Sequence, residues 1–299
     1  MNKKFVLGVD IGGSHITSGI IDMMLNQFVP GSEIRKHVDS GAPADEIIKV
    51  WGQVIKESMD NYPHLFSKIG IAMPGPFDYE AGICLIKGFA KYEALFGLNI
   101  RTLLADELGI AGIDIRFRND AEAFLEGEIF CGAAKGYNHV IGLTLGTGLG
   151  SAISHNGNTV DAELSVTPYK SGIMEDYIST RGILKTYESL AGHKAKHVKE
   201  IADLVHHNKD AIALKTFSLF SEHLAHFLQM FILQETPEMV VIGGNIANAW
   251  DLFMPHVEKS LAAVSIQVPI VKAILGEKAA LIGGACCWKK NYNFQDIIQ

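Results

Sequence analysis

Gly8-Val9-Asp10-Ile11-Gly12-Gly13-Ser14 ends one apolar run, which begins at Lys4, and leads into a second from Ile16 to Ile21. Two short apolar runs flanking a glycine pair read as strands joined by a tight turn, with the Asp10 carboxylate at the end of the first strand. The layout recurs in the second half, where strand His139 to Leu145 meets Gly146-Thr147-Gly148-Leu149-Gly150 and a returning strand runs from Ser151 to Ser154. Two hairpins of one design, about a domain length apart, point to two related halves. A third glycine turn, Gly243-Gly244, follows the apolar strand Met239 to Ile242.

Working outward from these turns, strand and helix patterns alternate. From Ala44 to Asn61 the residues Ile47, Ile48, Trp51, Val54 and Ile55 share one helical stripe, and Pro63 stops it. Lys68 to Met73 reads as a strand that must end at Pro74-Gly75-Pro76. Ile100, Leu103, Leu104 and Leu108 mark a further helix, Ile113 to Arg118 a strand ending at Asn119-Asp120, and Ala121 to Glu126 the start of another helix. Phe217 to Phe231 carries a strong helical stripe, Trp250 to Leu261 another, and Ala279 to Lys289 is expected to be the last helix. The alternation predicts an α/β class. At 299 residues, two domains are expected. The repeat places their boundary near residue 118: a smaller α/β domain over 1–118, with the C-terminal helix of about 280–299 packing back on it, and a larger one over 119–279.

Composition narrows the function classes. Apolar residues make up 48% and charged residues 20%, the balance of a packed globular chain. The net charge of −7 comes without a long basic run, which argues against a nucleic-acid partner. After Met1-Asn2-Lys3-Lys4 an acid, Asp10, arrives too soon for a signal-peptide core, and no apolar stretch reaches the roughly 20 residues that span a bilayer. A cytoplasmic protein without a membrane partner is expected. Cys84, Cys131, Cys286 and Cys287 show neither a CxxC pair nor metal-ligand spacing.

Glycine lets a turn present backbone amides to a phosphate at close range, and three such turns follow strands here. An ordinary hairpin also favours glycine, so the case rests on the repetition. Neither GxxxxGK[ST] nor a helix-opening GxGxxG in the first strand unit occurs, which disfavours a P-loop or Rossmann site. Asp10, beside the first turn, can hold a hydrated magnesium ion against phosphates, or else cap the turn. Ser14 and Thr147 add hydroxyl donors. Asp120 stands at a strand's C-terminal end, where α/β sites form, and can accept a hydroxyl proton; its plain structural alternative is a helix N-cap.

Five strings together resemble the ROK family of bacterial sugar kinases and sugar-responsive repressors over nearly the whole chain. They are Gly8 to Ser14, Ala72-Met73-Pro74-Gly75-Pro76, Asn119-Asp120-Ala121, Leu145 to Gly150, and Ile242-Gly243-Gly244-Asn245. The resemblance implies an actin-like ATPase (ribonuclease H-like) fold with ATP in an interdomain cleft. It places Gly12, Gly13, Ser14, Thr147 and Gly148 on phosphate and Gly243, Gly244 and Asn245 near the adenosine, and it implies that Gly75, Asn119 and Asp120 contact a sugar, with Asp120 as base.

Kinases of this family usually carry E-x-G-H and then C-x-C-G-x-x-G-C-x-E, whose histidine and cysteines hold a structural zinc. This chain departs from that pattern: Ala162-Glu163-Leu164-Ser165-Val166 has Val166 at the histidine position, and Ser171-Gly172-Ile173-Met174-Glu175 has no cysteine. No zinc is expected. Glu163 and Glu175 stand at the two sugar-binding carboxylate positions, where the alternative is two surface acids. The resemblance therefore implies phosphoryl transfer from ATP, with Mg²⁺, to a hexose or N-acylhexosamine at its primary hydroxyl. Its alternative is a non-catalytic sugar sensor; repressors of the family carry an additional N-terminal DNA-binding domain, and the first strand here begins by Lys4. The expected partner is a small-molecule sugar, and a homodimer is expected.

Overall fold

The computed structural model describes residues 4–88 and 91–292; the ends of the expected segments at 1–3 and 293–299 lie outside the described residues. The chain divides into two compact units, residues 1–135 with 277–299, and residues 136–276.

Unit one runs β1 (Phe5–Ile11), β2 (His15–Asp22), β3 (Gln27–Phe28), β4 (Ile34–His37), α1 (Ala44–Asn61), β5 (Phe66–Met73), a small pair β6 (Phe77–Asp78) and β7 (Ile83–Cys84), α2 (Ile100–Leu108), β8 (Ile115–Asn119) and α3 (Asp120–Cys131). Its main sheet has the order β3-β2-β1-β5-β8, with β4 also paired to β2. The β1–β2 hairpin is antiparallel, whereas β1, β5 and β8 are parallel, with Asp10 opposite Ala72 and Met73 opposite Asn119. That register aligns the C-terminal ends of three neighbouring strands. Helix α1 places Ile47, Ile48, Trp51, Val54 and Ile55 against the core, and Asp45 and Glu46 in its first turn favour the positive end of its dipole.

Unit two runs β9 (His139–Leu145), β10 (Leu149–His155), β11 (Asn158–Asp161), β12 (Pro168–Tyr169), β13 (Gly172–Ile173), α4 (Thr180–Ala191), α5 (Val198–Asn208), α6 (Ala211–Glu235), β14 (Met239–Gly243), α7 (Trp250–Ala263) and β15 (Ile270–Lys272). The sheet order is β11-β10-β9-β14-β15, with β9, β14 and β15 parallel. Phe217, Phe227, Phe231 and Phe253 are fully buried in its core. At roughly 1.5–3 kcal/mol for each such side chain, they supply much of the drive for packing α6 and α7 on the sheet.

The chain then returns to unit one as α8 (Lys278–Ala285). The expected last helix is shorter than Ala279 to Lys289: after Ala285 the backbone tightens into 3₁₀ turns over Cys286–Tyr292. Trp288 accounts for this, since it is buried and its Nε1–H donates to the Ile69 carbonyl of β5 at 3.0 Å. The expected strand Ile113 to Arg118 begins later, because Gly112–Asp114 forms a 3₁₀ turn first. Helix α3 packs on α8, and so the units divide after Lys135 rather than at 118. Among the described residues no helix is long and apolar enough to cross a membrane, and all four cysteines are unpaired.

Candidate active site

In unit one the strand ends gather Asp10, Gly75, Asn119 and Asp120. Asn119 is the N-cap of α3: its Oδ1 accepts from the backbone N–H of Ala121 at 2.7 Å and of Glu122 at 3.2 Å. Its Nδ2 donates to the Tyr79 hydroxyl at 3.2 Å, and that hydroxyl donates to the Met73 carbonyl at 3.0 Å. Asn119 is thus a buried strut, with both polar atoms engaged inside the protein. Gly75 lies beside the same group, since a Cβ there would stand 3.3 Å from the Tyr79 hydroxyl.

Because Asn119 does the capping, Asp120 occupies the first helical position. One of its oxygens accepts from Ala121 N–H at 2.9 Å, and no partner holds the other among the described residues. Its side chain reaches solvent, yet burial of the carboxyl by the surrounding protein raises its pKa, with the Lys91 ammonium and backbone N–H groups opposing. Asp10 lies within β1 rather than in the turn, and its pKa is pushed up to about 7, first by burial and then by the negative charges of Asp120 and Glu277, against Arg35. Such an under-compensated carboxylate gains from a nearby cation.

The first glycine turn closes with Gly12 N–H donating to the His15 carbonyl at 2.9 Å. The N–H groups of Gly13 and Ser14 have no partner among the described residues, and a Cβ on Gly13 would meet nothing within 4 Å. Ser14 Oγ is hydrogen-bonded to His15 Nδ1 at 2.9 Å. From below, the fully buried Tyr92 donates its hydroxyl hydrogen to the Gly12 carbonyl at 2.5 Å.

In unit two the second and third turns adjoin. Gly243 pairs with Thr144, and Gly244 has φ 86° and packs so closely on Leu145 that a Cβ would overlap its backbone. Glycine at 244 is therefore a packing requirement as well as a turn signal. Thr147 and Gly148 keep N–H groups with no partner among the described residues, and the space outside Gly146 is open. Asn245, exposed, starts the 3₁₀ turn that follows.

Glu163 is exposed in a left-handed conformation, φ 51°, with its N–H donated to Asp161 Oδ1 at 2.8 Å. Its carboxylate has no hydrogen bond among the described residues. Glu175 differs: Oε2 accepts from Leu149 N–H at 3.0 Å, and Oε1 faces Arg181 at 3.4 Å. Val166 is 63% exposed, so the residue at the family's histidine position serves no core. Among the described residues no cluster of three or more metal-ligating side chains exists, and Asp10 offers a carboxylate near the end of β1, beside the first glycine turn. A magnesium ion that keeps its waters and binds phosphate oxygens requires no more than that from the protein.

Tyr79, Lys91, Tyr92 and Arg181 were not among the residues singled out from sequence. Tyr79, Lys91 and Tyr92 act on residues far from them in the chain, and Arg181 on the nearby Glu175 and Asp176, with no local periodicity to mark any of the four. Each unit thus presents a glycine turn with N–H groups free of partners among the described residues, and unit one adds the unbonded carboxylate oxygen of Asp120.

The ROK family model matches residues 6–163 and 168–291. A glucokinase of Thermotoga maritima is 28% identical, covering 97% of this chain and 99% of that protein. An N-acetyl-D-glucosamine kinase of Pectobacterium carotovorum is 25% identical, covering 93% and 97%. The crystal structure of a ROK family glucokinase from Streptomyces griseus in complex with glucose and AMPPNP superposes with a TM-score of 0.74 at 21% identity, covering 95% of this chain and 98% of that one. The shared fold is that of actin-like ATPases.

Proposed function

This chain belongs to the ROK family, and from that premise we propose that it is an ATP-dependent sugar kinase acting on a hexose or N-acylhexosamine. The observation that carries the reading is the division of labour between Asn119 and Asp120. The first caps α3 and the second is left with an unbonded carboxylate oxygen at the ends of the parallel strands, beside a turn with free N–H donors.

In the transfer, Asp120 accepts the proton of the sugar's primary hydroxyl as that oxygen forms its bond to the γ-phosphorus. The bond from the γ-phosphorus to the β,γ-bridging oxygen breaks, and ADP leaves with the electron pair. The N–H groups of Gly13, Ser14, Thr147 and Gly148 bind phosphate oxygens, Gly243, Gly244 and Asn245 lie at the adenosine, and Gly75, Asn119, Glu163 and Glu175 orient the sugar. Asp10 would hold a hydrated Mg²⁺, which supplies charge neutralisation on the phosphates when bound. Asn119 acts mainly by keeping Asp120 in place, because its own polar atoms are already engaged.

One observation favours a second reading, a sugar sensor without turnover: exposed Val166 cannot make the polar sugar contact that a histidine would. A coupled assay of ATP consumption over a panel of hexoses and N-acylhexosamines separates the two. Turnover with at least one sugar is the expected result. Measurable sugar binding with no turnover across the panel supports the sensor.

A further inference from the structure

The glycine turn of unit two is strapped at both ends by one segment. Leu149 N–H donates to Glu175 Oε2 at 3.0 Å, and Thr180 N–H donates to the Gly146 carbonyl at 2.8 Å. The turn's own closure is a single bond, from Gly146 N–H to the Gly148 carbonyl at 3.0 Å. Gly148 shows how closely the strap fits: a Cβ there would stand 2.5 Å from Glu175 Oε2. The carboxylate fills the volume that any side chain at 148 would need. At Gly146 a Cβ would meet nothing within 4 Å, so the two glycines of one turn serve opposite ends. One admits the carboxylate and the other leaves the outer face open.

Glu175 is itself held in place. Its neighbour Met174 is fully buried, and Met174 N–H donates to the Thr167 carbonyl at 2.9 Å. Arg181 lies 3.4 Å from Glu175 and 3.0 Å from Asp176, which offsets the negative charge beside a turn read as binding phosphate. A Gly-Thr-Gly turn left to itself samples many conformations, and each must be given up when a ligand binds. Fixing the turn beforehand removes that cost from binding.

We propose that Glu175 is a positioning residue for the phosphate turn: by taking the Leu149 N–H it fixes the turn so that the N–H groups of Thr147 and Gly148 face the ligand. The inference rests on the nucleotide reading given above for this turn. It adds to any sugar contact that Glu175 makes, because an ionised carboxylate has about four acceptor positions and Leu149 uses one.

Two measurements test it, one of which needs no ligand. The first is amide hydrogen exchange at Leu149 in the free protein. The second is the affinity of a non-hydrolysable ATP analogue in the absence of sugar. In Glu175→Ala and in Gly148→Ala, exchange at Leu149 should accelerate about tenfold or more and the analogue should bind about tenfold more weakly, the scale of one hydrogen bond to a charged group. Glu175→Gln should stay within about threefold of wild type in both, since an amide oxygen accepts the same bond. The double variant Glu175→Ala/Gly148→Ala should be no weaker than either single one, because both remove one interaction. Should Glu175→Ala fail to fold, Gly148→Ala and Glu175→Asp, one methylene too short, carry the test. Wild-type exchange at Leu149 in these variants, with only the sugar KM altered, would overturn the proposal. If the analogue does not bind the wild-type protein at all, the nucleotide reading fails, and the exchange result still decides whether Glu175 holds the turn.

Discussion

Tyr92 donates its hydroxyl hydrogen to the carbonyl of Gly12 at 2.5 Å, from a fully buried position 80 residues away in the chain. The ring packs edge-on against Trp51, with centroids 5.3 Å apart, so the donor is fixed before any ligand arrives. The first glycine turn is thereby tied to the core of its own unit.

Tyr92→Phe keeps the ring and removes only that bond, leaving a part-buried carbonyl without its partner. The variant should lose about 1–3 kcal/mol of stability. Its KM for ATP should rise more than its KM for sugar. Denaturant unfolding and steady-state kinetics on the same preparation check both.

Asn119→Ala removes the cap of α3 and the partner of Tyr79 together. Stability should fall by about 0.5–2 kcal/mol, and kcat should fall with it because Asp120 loses its fixed place at the helix start. Asn119→Asp keeps an oxygen for the cap and should recover most of the stability. It sets a second carboxylate next to Asp120, and so should not recover kcat. Unfolding curves and kcat for the pair separate capping from catalysis.

His223 gives a pH prediction independent of catalysis. It is buried on α6, with Nδ1 3.0 Å from the Tyr169 hydroxyl and 3.5 Å from the Lys170 ammonium, and it faces Tyr177 and His226. Burial first, then the Lys170 and His226 charges, push its pKa down to about 4, against Glu222. In the unfolded chain the group titrates near 6.5. Below that pH the unfolded state binds a proton that the folded state refuses. The contribution is therefore intact above about pH 6.5 and is lost as pH falls toward 4, by up to about 3 kcal/mol. Asp10 and Asp120, whose carboxyls are raised on folding, work in the opposite sense, so the informative quantity is a difference. The wild type should lose more thermal stability between pH 7 and pH 4.5 than His223→Gln does.

The parts of the fold legible from sequence were those with strong local patterns. The strands beside the glycine turns are largely apolar, Asp10, His139 and Thr144 aside, because they are buried in the middle of sheets, and α1 and α6 carry apolar stripes that no strand period matches. Helices α4 and α5 bury only three and two residues, too few to stand out among their lysines, serines and histidines. The end of α8 carries no local signal, because the stop comes from Trp288 reaching Ile69, a contact 219 residues apart with no trace in local composition. The site divides in the same way. Asp10, Asp120 and the turns could be picked out because residue type and strand position coincide. That Asn119 rather than Asp120 caps α3 is decided by one residue's backbone angles, which propensity does not resolve. Tyr92, and the hold of Glu175 on Leu149, depend on folds of the chain that bring distant segments together.

The central claim is that Asp120 takes the proton from the sugar hydroxyl. Asp120→Asn preserves size and the bond to Ala121 N–H while removing the base. Its kcat should fall by about 10²–10⁴ while the sugar dissociation constant stays within a few-fold of wild type. Near-normal turnover in Asp120→Asn, measured beside unchanged sugar binding, would contradict the account.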